Sequence, residues 1–139
     1  MWRTRSRPAA RTEELPAFIR RVGTVFERSC APDAEPLSWP EVEDLLTEGC
    51  ARAHALEGER WEIERTLSGS RPDGGRTPAT IRSLRARWLL LDRDIRSLRA
   101  VLQELRVLGA QLEESERDAD NKRTLDLGRE TSTKGQGRP

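Results

Sequence analysis

The sequence predicts an all-α fold: a long antiparallel helical hairpin, coiled-coil-like, with a short amphipathic helix before it and disordered termini. Three observations carry this. Ile81, Leu84, Trp88, Leu91, Ile95, Leu98, Leu102, Leu105 and Leu112 recur at alternating steps of three and four, with only Gly109 breaking the set; this is an a/d heptad. A second helical pattern precedes it across a short turn-forming segment. The two patterns carry opposite charge. No run alternates apolar and polar residues with strand-forming types, and Tyr is absent, so nothing speaks for a sheet.

The third helix, about 78–117, starts at Thr77-Pro78, because proline is tolerated where the first helical N–H has no partner. Such a helix is roughly 60 Å long, and its seam needs a cover. The second helix, about 38–68, supplies one. Leu37-Ser38-Trp39-Pro40-Glu41-Val42 gives Ser38 as N-cap, Glu41 closing a capping box, and Leu37 with Val42 as a hydrophobic staple. Its seam reads Trp39, Val42, Leu46, Gly49, Ala53, Leu56, Arg60, Ile63, Leu67, and Gly69 suits a left-handed residue at its end. Between the helices, Ser70 to Arg76 with Pro72-Asp73-Gly74-Gly75 is turn chemistry.

Charge tests this pairing independently. From Glu41 to Arg65 eight acids oppose three arginines, and from Arg82 to Arg106 seven arginines oppose three acids. Arginines at a helix start lie against its dipole. Folding the chain at about residue 73 sets Arg82, Arg85 and Arg87 beside Glu57, Glu59, Glu62 and Glu64. The same fold sets Leu67 near Ile81, Ala53 near Ile95 and Val42 near Leu105.

A first helix is expected over 13–30, with Thr12 as N-cap and Pro16 in the first turn. Leu15, Phe18, Ile19, Val22 and Phe26 form its apolar stripe, and it is too short to stand alone in water. The third helix carries apolar residues beyond its seam: Leu89, Leu90, Val101, Val107 and Leu108. These ten side chains are the candidate partner-binding residues, to be covered by the first helix folding back or by another chain. The hairpin region spans 37–117. Residues 1–12, with Arg3, Arg5, Arg7 and Arg11 and no acid, read as a basic disordered arm. That arm is compatible with a transit peptide, a nuclear import signal, a contact to nucleic acid or an acidic partner, or a plain solvated tail. Residues 118–139 are polar and read as a disordered tail, with Leu125 and Leu127 as a possible docking motif.

Composition bounds the rest. The chain has 139 residues, enough for one domain, and 35% hydrophobic against 35% charged residues, so it can line seams but not fill a thick core. Its formal charge is +1. The basic residues are almost all Arg, which suits phosphates but also follows from a GC-rich gene. No run is apolar enough for a membrane span, and no h-region marks a secretory signal. Cys30 and Cys50 read as reduced thiols packed as small apolar residues.

Chemistry is sparse. His54 is the only histidine, which excludes histidine dyads and multi-histidine metal sites. The Glu57–Glu64 carboxylates read as a solvated acidic face, since the Glu-x-x-His of di-metal bundles is missing. No nucleophile elbow, phosphate loop or dinucleotide fingerprint occurs. Trp39 and Trp88 read as seam residues, and Trp61 as a cation–π partner for Arg85. The expectation is a non-enzymatic interaction module without cofactor or metal, a small coiled-coil subunit or adaptor of an intracellular (cytoplasmic or nuclear) assembly. Its partners would be helical or coiled-coil proteins, or a second copy, and no membrane. The alternative is a nucleic-acid-binding module using the basic arm and the Arg face of the third helix.

Overall fold

The computed structural model describes residues 14–69 and 76–132. The basic arm, the Ser70–Gly75 turn and residues 133–139 lie outside these. The described residues form three helices: α1 (Leu15–Cys30), α2 (Trp39–Ser68) and α3 (Pro78–Ser132).

α2 and α3 make the main contact of the chain, and they run antiparallel. Going up α2 from Trp39 to Gly49, Arg60 and Glu64, the partners on α3 descend from Gly109 to Leu102, Asp92 and Trp88. These pairs follow the expected register to within about one helical turn. The α3 seam is what the heptad marks. Leu91, Ile95, Leu98, Leu102 and Leu105 are buried, while Ile81, Leu84, Trp88 and Leu112 are half-buried. Gly109 interrupts the heptad for a packing reason. A Cβ at Gly109 would overlap the ring of Trp39, so the missing side chain is the seat of an indole from α2.

Local chemistry sets the ends. The Glu41 carboxylate accepts from the Ser38 N–H at 3.0 Å, the expected capping-box bond. At Pro78, the Thr80 N–H donates to Thr77 Oγ1 at 3.3 Å. Two ends differ from expectation. α1 begins at Leu15 with Glu14 as its N-cap and Pro16 in the first turn, so Thr12 lies outside the described residues. Gly69 is right-handed, with φ −80° and ψ −4°, not left-handed. Its N–H still bonds the Arg65 carbonyl at 3.0 Å, so the helix geometry carries into the loop. Arg76 Nη1 donates to the Thr66 carbonyl at 3.2 Å, which answers one of the orphan acceptors at the helix end.

α3 also runs past its expected end near residue 117. Its 55 residues span about 80 Å, reaching Ser132 through the segment expected to be a disordered tail. Every side chain from Glu113 to Arg129 is exposed. This part of the helix is an overhang, and none of its residues joins the core cluster.

α1 lies across one half of the hairpin. Phe18, Val22 and Val25 join Val42, Leu45, Ala53, Leu98, Leu102, Leu105 and Leu108 in one core cluster. Ile63, Leu91 and Ile95 are buried too, but outside that cluster. The hairpin therefore has a three-helix half at its open end and a two-helix half beside the loop.

Candidate functional site

The seat of α1 shows what this surface accepts. Phe18 is fully buried, and its ring packs beside Gly49, where a Cβ would overlap Leu102 and crowd the Phe18 ring at 3.1 Å. Two guanidiniums stack on that ring, Arg52 at 5.1 Å and Arg21 at 5.4 Å from its centroid. Both reach Glu48, Arg21 at 2.6 Å and Arg52 at 3.0 Å. At the other end of α1, Arg28 Nη1 pairs with Glu41 at 3.2 Å and Nη2 donates to the Glu35 carbonyl at 3.4 Å. α1 is thus clamped by an aromatic anchor and two arginine–glutamate latches.

The latches are visible in the acids' ionisation. The Ser38 N–H, and then the Arg28 guanidinium, hold the Glu41 carboxyl below its ordinary value. The Arg21 guanidinium does the same for Glu48, against a smaller opposing effect of burial.

The ten candidate partner-binding residues divide into two groups. Phe18 and Val22 are buried and Leu15, Ile19 and Phe26 half-buried, so the α1 stripe is folded against the chain's own hairpin. Leu108 is buried and Val101 half-buried in the same place. Leu89, Leu90 and Val107 remain exposed. Val25 and Leu45 were not singled out by sequence, although Val25 continues the α1 stripe at i+3 from Val22; both are buried between helices.

The two-helix half holds the open surface. An open groove of about 400 Å³ is lined by Glu64, Leu67, Ser68, Arg85, Trp88 and Leu89. Leu89 in its lining is exposed, and Trp61 and Leu90 are exposed elsewhere in the same half. Trp88 Nε1 donates to Glu64 at 2.9 Å and its ring receives Arg60 at 6.0 Å. Trp61 stacks on Arg65 of its own helix at 5.4 Å, not on Arg85.

Cross-hairpin charge pairs form, one of them, Arg87 with Glu59, between residues expected to lie side by side, the others between residues not singled out together. Arg87 binds Glu59 at 2.7 Å, Arg60 binds Asp92 at 3.0 Å, and Arg99 binds Glu57. The acidic face of α2 is therefore partly used within the hairpin. Among the described residues Arg82 and Arg85 enter no ion pair. Cys30 is exposed, contrary to the packed thiol expected there; Cys50 is half-buried, with Arg106 Nη2 donating to its Sγ at 3.9 Å. His54 is exposed and lies 3.9 Å from Glu57.

Among the described residues no three His, Cys, Asp or Glu side chains gather as a metal site. No described helix is long and apolar enough to cross a membrane. Among the described residues, fold and surface together define an all-helical, hairpin-like arrangement of three helices, with one half covered and one half open. No protein family, characterised protein or solved structure matches the chain.

Proposed function

We propose that this chain is a non-enzymatic protein–protein interaction module, a small coiled-coil subunit or adaptor of a larger assembly. The observation that carries the reading is the uncovered half of the hairpin. Leu89 stands exposed in an apolar groove, and Leu90 and Trp61 are exposed in the same half, whereas α1 gives the other half a third helix. Exposed apolar side chains clustered beside a groove mark association surfaces more often than scattered ones do. The occupied half supplies the pattern for a partner, which is a helix with an apolar anchor and flanking charges. The compartment read from the sequence, the interior of the cell, belongs to the same proposal.

Purifying the tagged full chain from its native cells tests this. A protein that co-purifies near one-to-one through a high-salt wash, and is lost when Leu90→Glu is introduced, supports the module. Retention unaffected by Leu90→Glu counts against this surface. A second reading has its own observation. Among the described residues Arg82 and Arg85 have no acid partner, as a phosphate-binding face would require. Nucleic acid that is held at low salt and shed at high salt would favour it.

A further inference from the structure

α1 stops partway along the face that it covers. Phe18 packs beside Gly49, Arg21 pairs with Glu48 and Arg28 with Glu41, so α1 runs opposite to α2 and its N-terminus points into the two-helix half. The face continues past that point. Leu90 stands 18 residues before Leu108, about five helical turns, and therefore lies on the same line of α3. Under α1, Leu108 is 8% exposed; beyond α1, Leu90 is 46% exposed. On α2, Glu59 follows Glu48 by 11 residues, about three turns, and carries the line of the α1 latch past the start of α1.

The segment joined to α1 at that end is the basic arm, and its length suffices. Phe18 and Leu102 both border Gly49, and Leu90 precedes Leu102 by 12 residues, about 18 Å along α3. Leu15 begins α1 nearly one turn nearer to Leu90, which leaves about 13 Å to cross. The six residues from Ala9 to Leu15 can span up to roughly 20 Å. Charge on this face favours a basic cover by a small margin. Within about 60° of the two lines, at 100° per residue, stand Glu59, Glu62 and Asp94 against Arg87 and Arg93. Arg87 binds Glu59 and Arg93 binds Asp94. Glu62 is exposed and, among the described residues, enters no ion pair. The Arg60–Asp92 and Glu64–Trp88 contacts bracket Glu62 and set it level with Leu90. Arg82 lies about two turns further toward the loop, beyond the stretch to be covered. In the arm, Arg7-Pro8-Ala9-Ala10-Arg11 holds a small apolar run between two arginines.

We propose that residues 7–11 of the N-terminal arm dock on this face of their own chain, with Pro8, Ala9 and Ala10 over Leu90 and a flanking arginine on Glu62. The arm then extends the cover that α1 begins. The groove lined by Trp88 and Leu89 lies on the other side of the α2–α3 seam and stays open. Leu90 also belongs to the surface proposed above for a partner, so a docked arm competes with that partner. The docking stands on the geometry alone; the competition rests on the association reading.

Paramagnetic broadening in the full chain is the test, with a nitroxide on Ser6→Cys in a Cys30→Ser, Cys50→Ser background. Amides of Glu59 to Ile63 and Leu90 to Asp94 are expected to lose most of their signal. Leu90→Glu should return it, without loss of helix by circular dichroism, since Leu90 is exposed. Glu62→Arg should also return it, by setting like charges together. Adding Arg7→Glu and Arg11→Glu to Glu62→Arg should restore the broadening, because the charges are then exchanged. High salt should weaken the contact. Signals that persist in the unsubstituted chain overturn the proposal, as does broadening indifferent to Leu90→Glu or a failed rescue by the exchanged charges. Mixing nitroxide-bearing chains with isotope-labelled chains that lack the nitroxide should broaden nothing; equal broadening there would assign the arm to a second copy and overturn the docking within one chain. A chain that shows no docking yet holds a Leu90-dependent partner would overturn the docking alone. Docking in a chain that retains no partner would overturn the interaction module alone.

Discussion

The two halves of the hairpin share the same helices and the same heptad, yet they differ in what the third side holds. In the open-end half, α1 closes the groove, and Phe18, Leu98 and Leu105 have no exposure. In the loop half the same stripe continues, but Leu84 and Trp88 are only half-buried and Leu89 and Leu90 are exposed. The difference lies in the cover, since the seam residues are alike. A two-helix seam buries one face of each partner, and a third helix must arrive before side chains flanking the seam leave water. Burial in this chain is therefore concentrated at one end, and the open apolar groove lies at the other.

The strongest way to break the comparison is to remove the anchor of the third helix. Phe18→Ala deletes a fully buried ring, and such truncations cost about 3–5 kcal/mol. Leu84→Ala, half-buried in the loop half, should cost well under half of that. Urea unfolding followed by circular dichroism measures both. Equal losses would mean that the two halves are equally packed.

Glycines sharpen the contrast, because the halves demand opposite things of them. Gly109 faces the Trp39 ring in the covered half, so Gly109→Ala must displace a rigid indole. Overpacking of this kind costs about 1–3 kcal/mol, offset in part by about 1 kcal/mol of improved helix propensity, for a net loss. Gly58 on α2, one turn beyond the covered half, would place a Cβ with nothing within 4 Å. Gly58→Ala should therefore stabilise by up to about 1 kcal/mol. Thermal melts of the two variants should move in opposite directions.

These halves were unequally legible in the sequence. The α3 heptad is read directly as a buried face, because a period of 3.5 admits no other cover than another helix. The Ser38–Glu41 cap is equally direct, being a local bond between residues three apart. The partition of the cover was not legible: whether α1 folds back depends on the reach of the Ala31–Pro36 linker, which no periodicity encodes. The extension of α3 beyond residue 117 is not legible either, because a polar exposed helix and a polar coil share a composition. Which charges pair was legible only in part, as in Arg87 with Glu59. Trp61 takes Arg65 from its own helix rather than Arg85 across the hairpin, since an i,i+4 neighbour is already in place. Arg85 instead lines the groove.

The smallest expected effect lies in the latches of α1, and it separates the halves by pH. Glu41 and Glu48 both have lowered carboxyl pKa values, the first through the Ser38 N–H and Arg28, the second through Arg21 and Arg52. A carboxylate whose folded value is depressed contributes stability above its ordinary value, here 4.5. That contribution is lost as pH falls from there through the lowered folded value. Both acids bridge α1 to α2, so acidification should loosen α1 first while the α2–α3 seam of the loop half holds. The pairs are largely exposed, and pairs of this kind contribute little; salt should reduce the effect further. Amide-exchange protection factors, corrected for the intrinsic pH dependence, give the site-resolved test. Protection of Phe18 to Val25 should decline below the ordinary carboxylate value while that of Leu91 to Leu98 does not. Glu41→Gln with Glu48→Gln should show the weakened α1 already at neutral pH and remove its further decline in acid. If the doubly substituted chain protects α1 as the native one does, the aromatic anchor alone holds the third helix. The two halves would then differ by packing and not by charge.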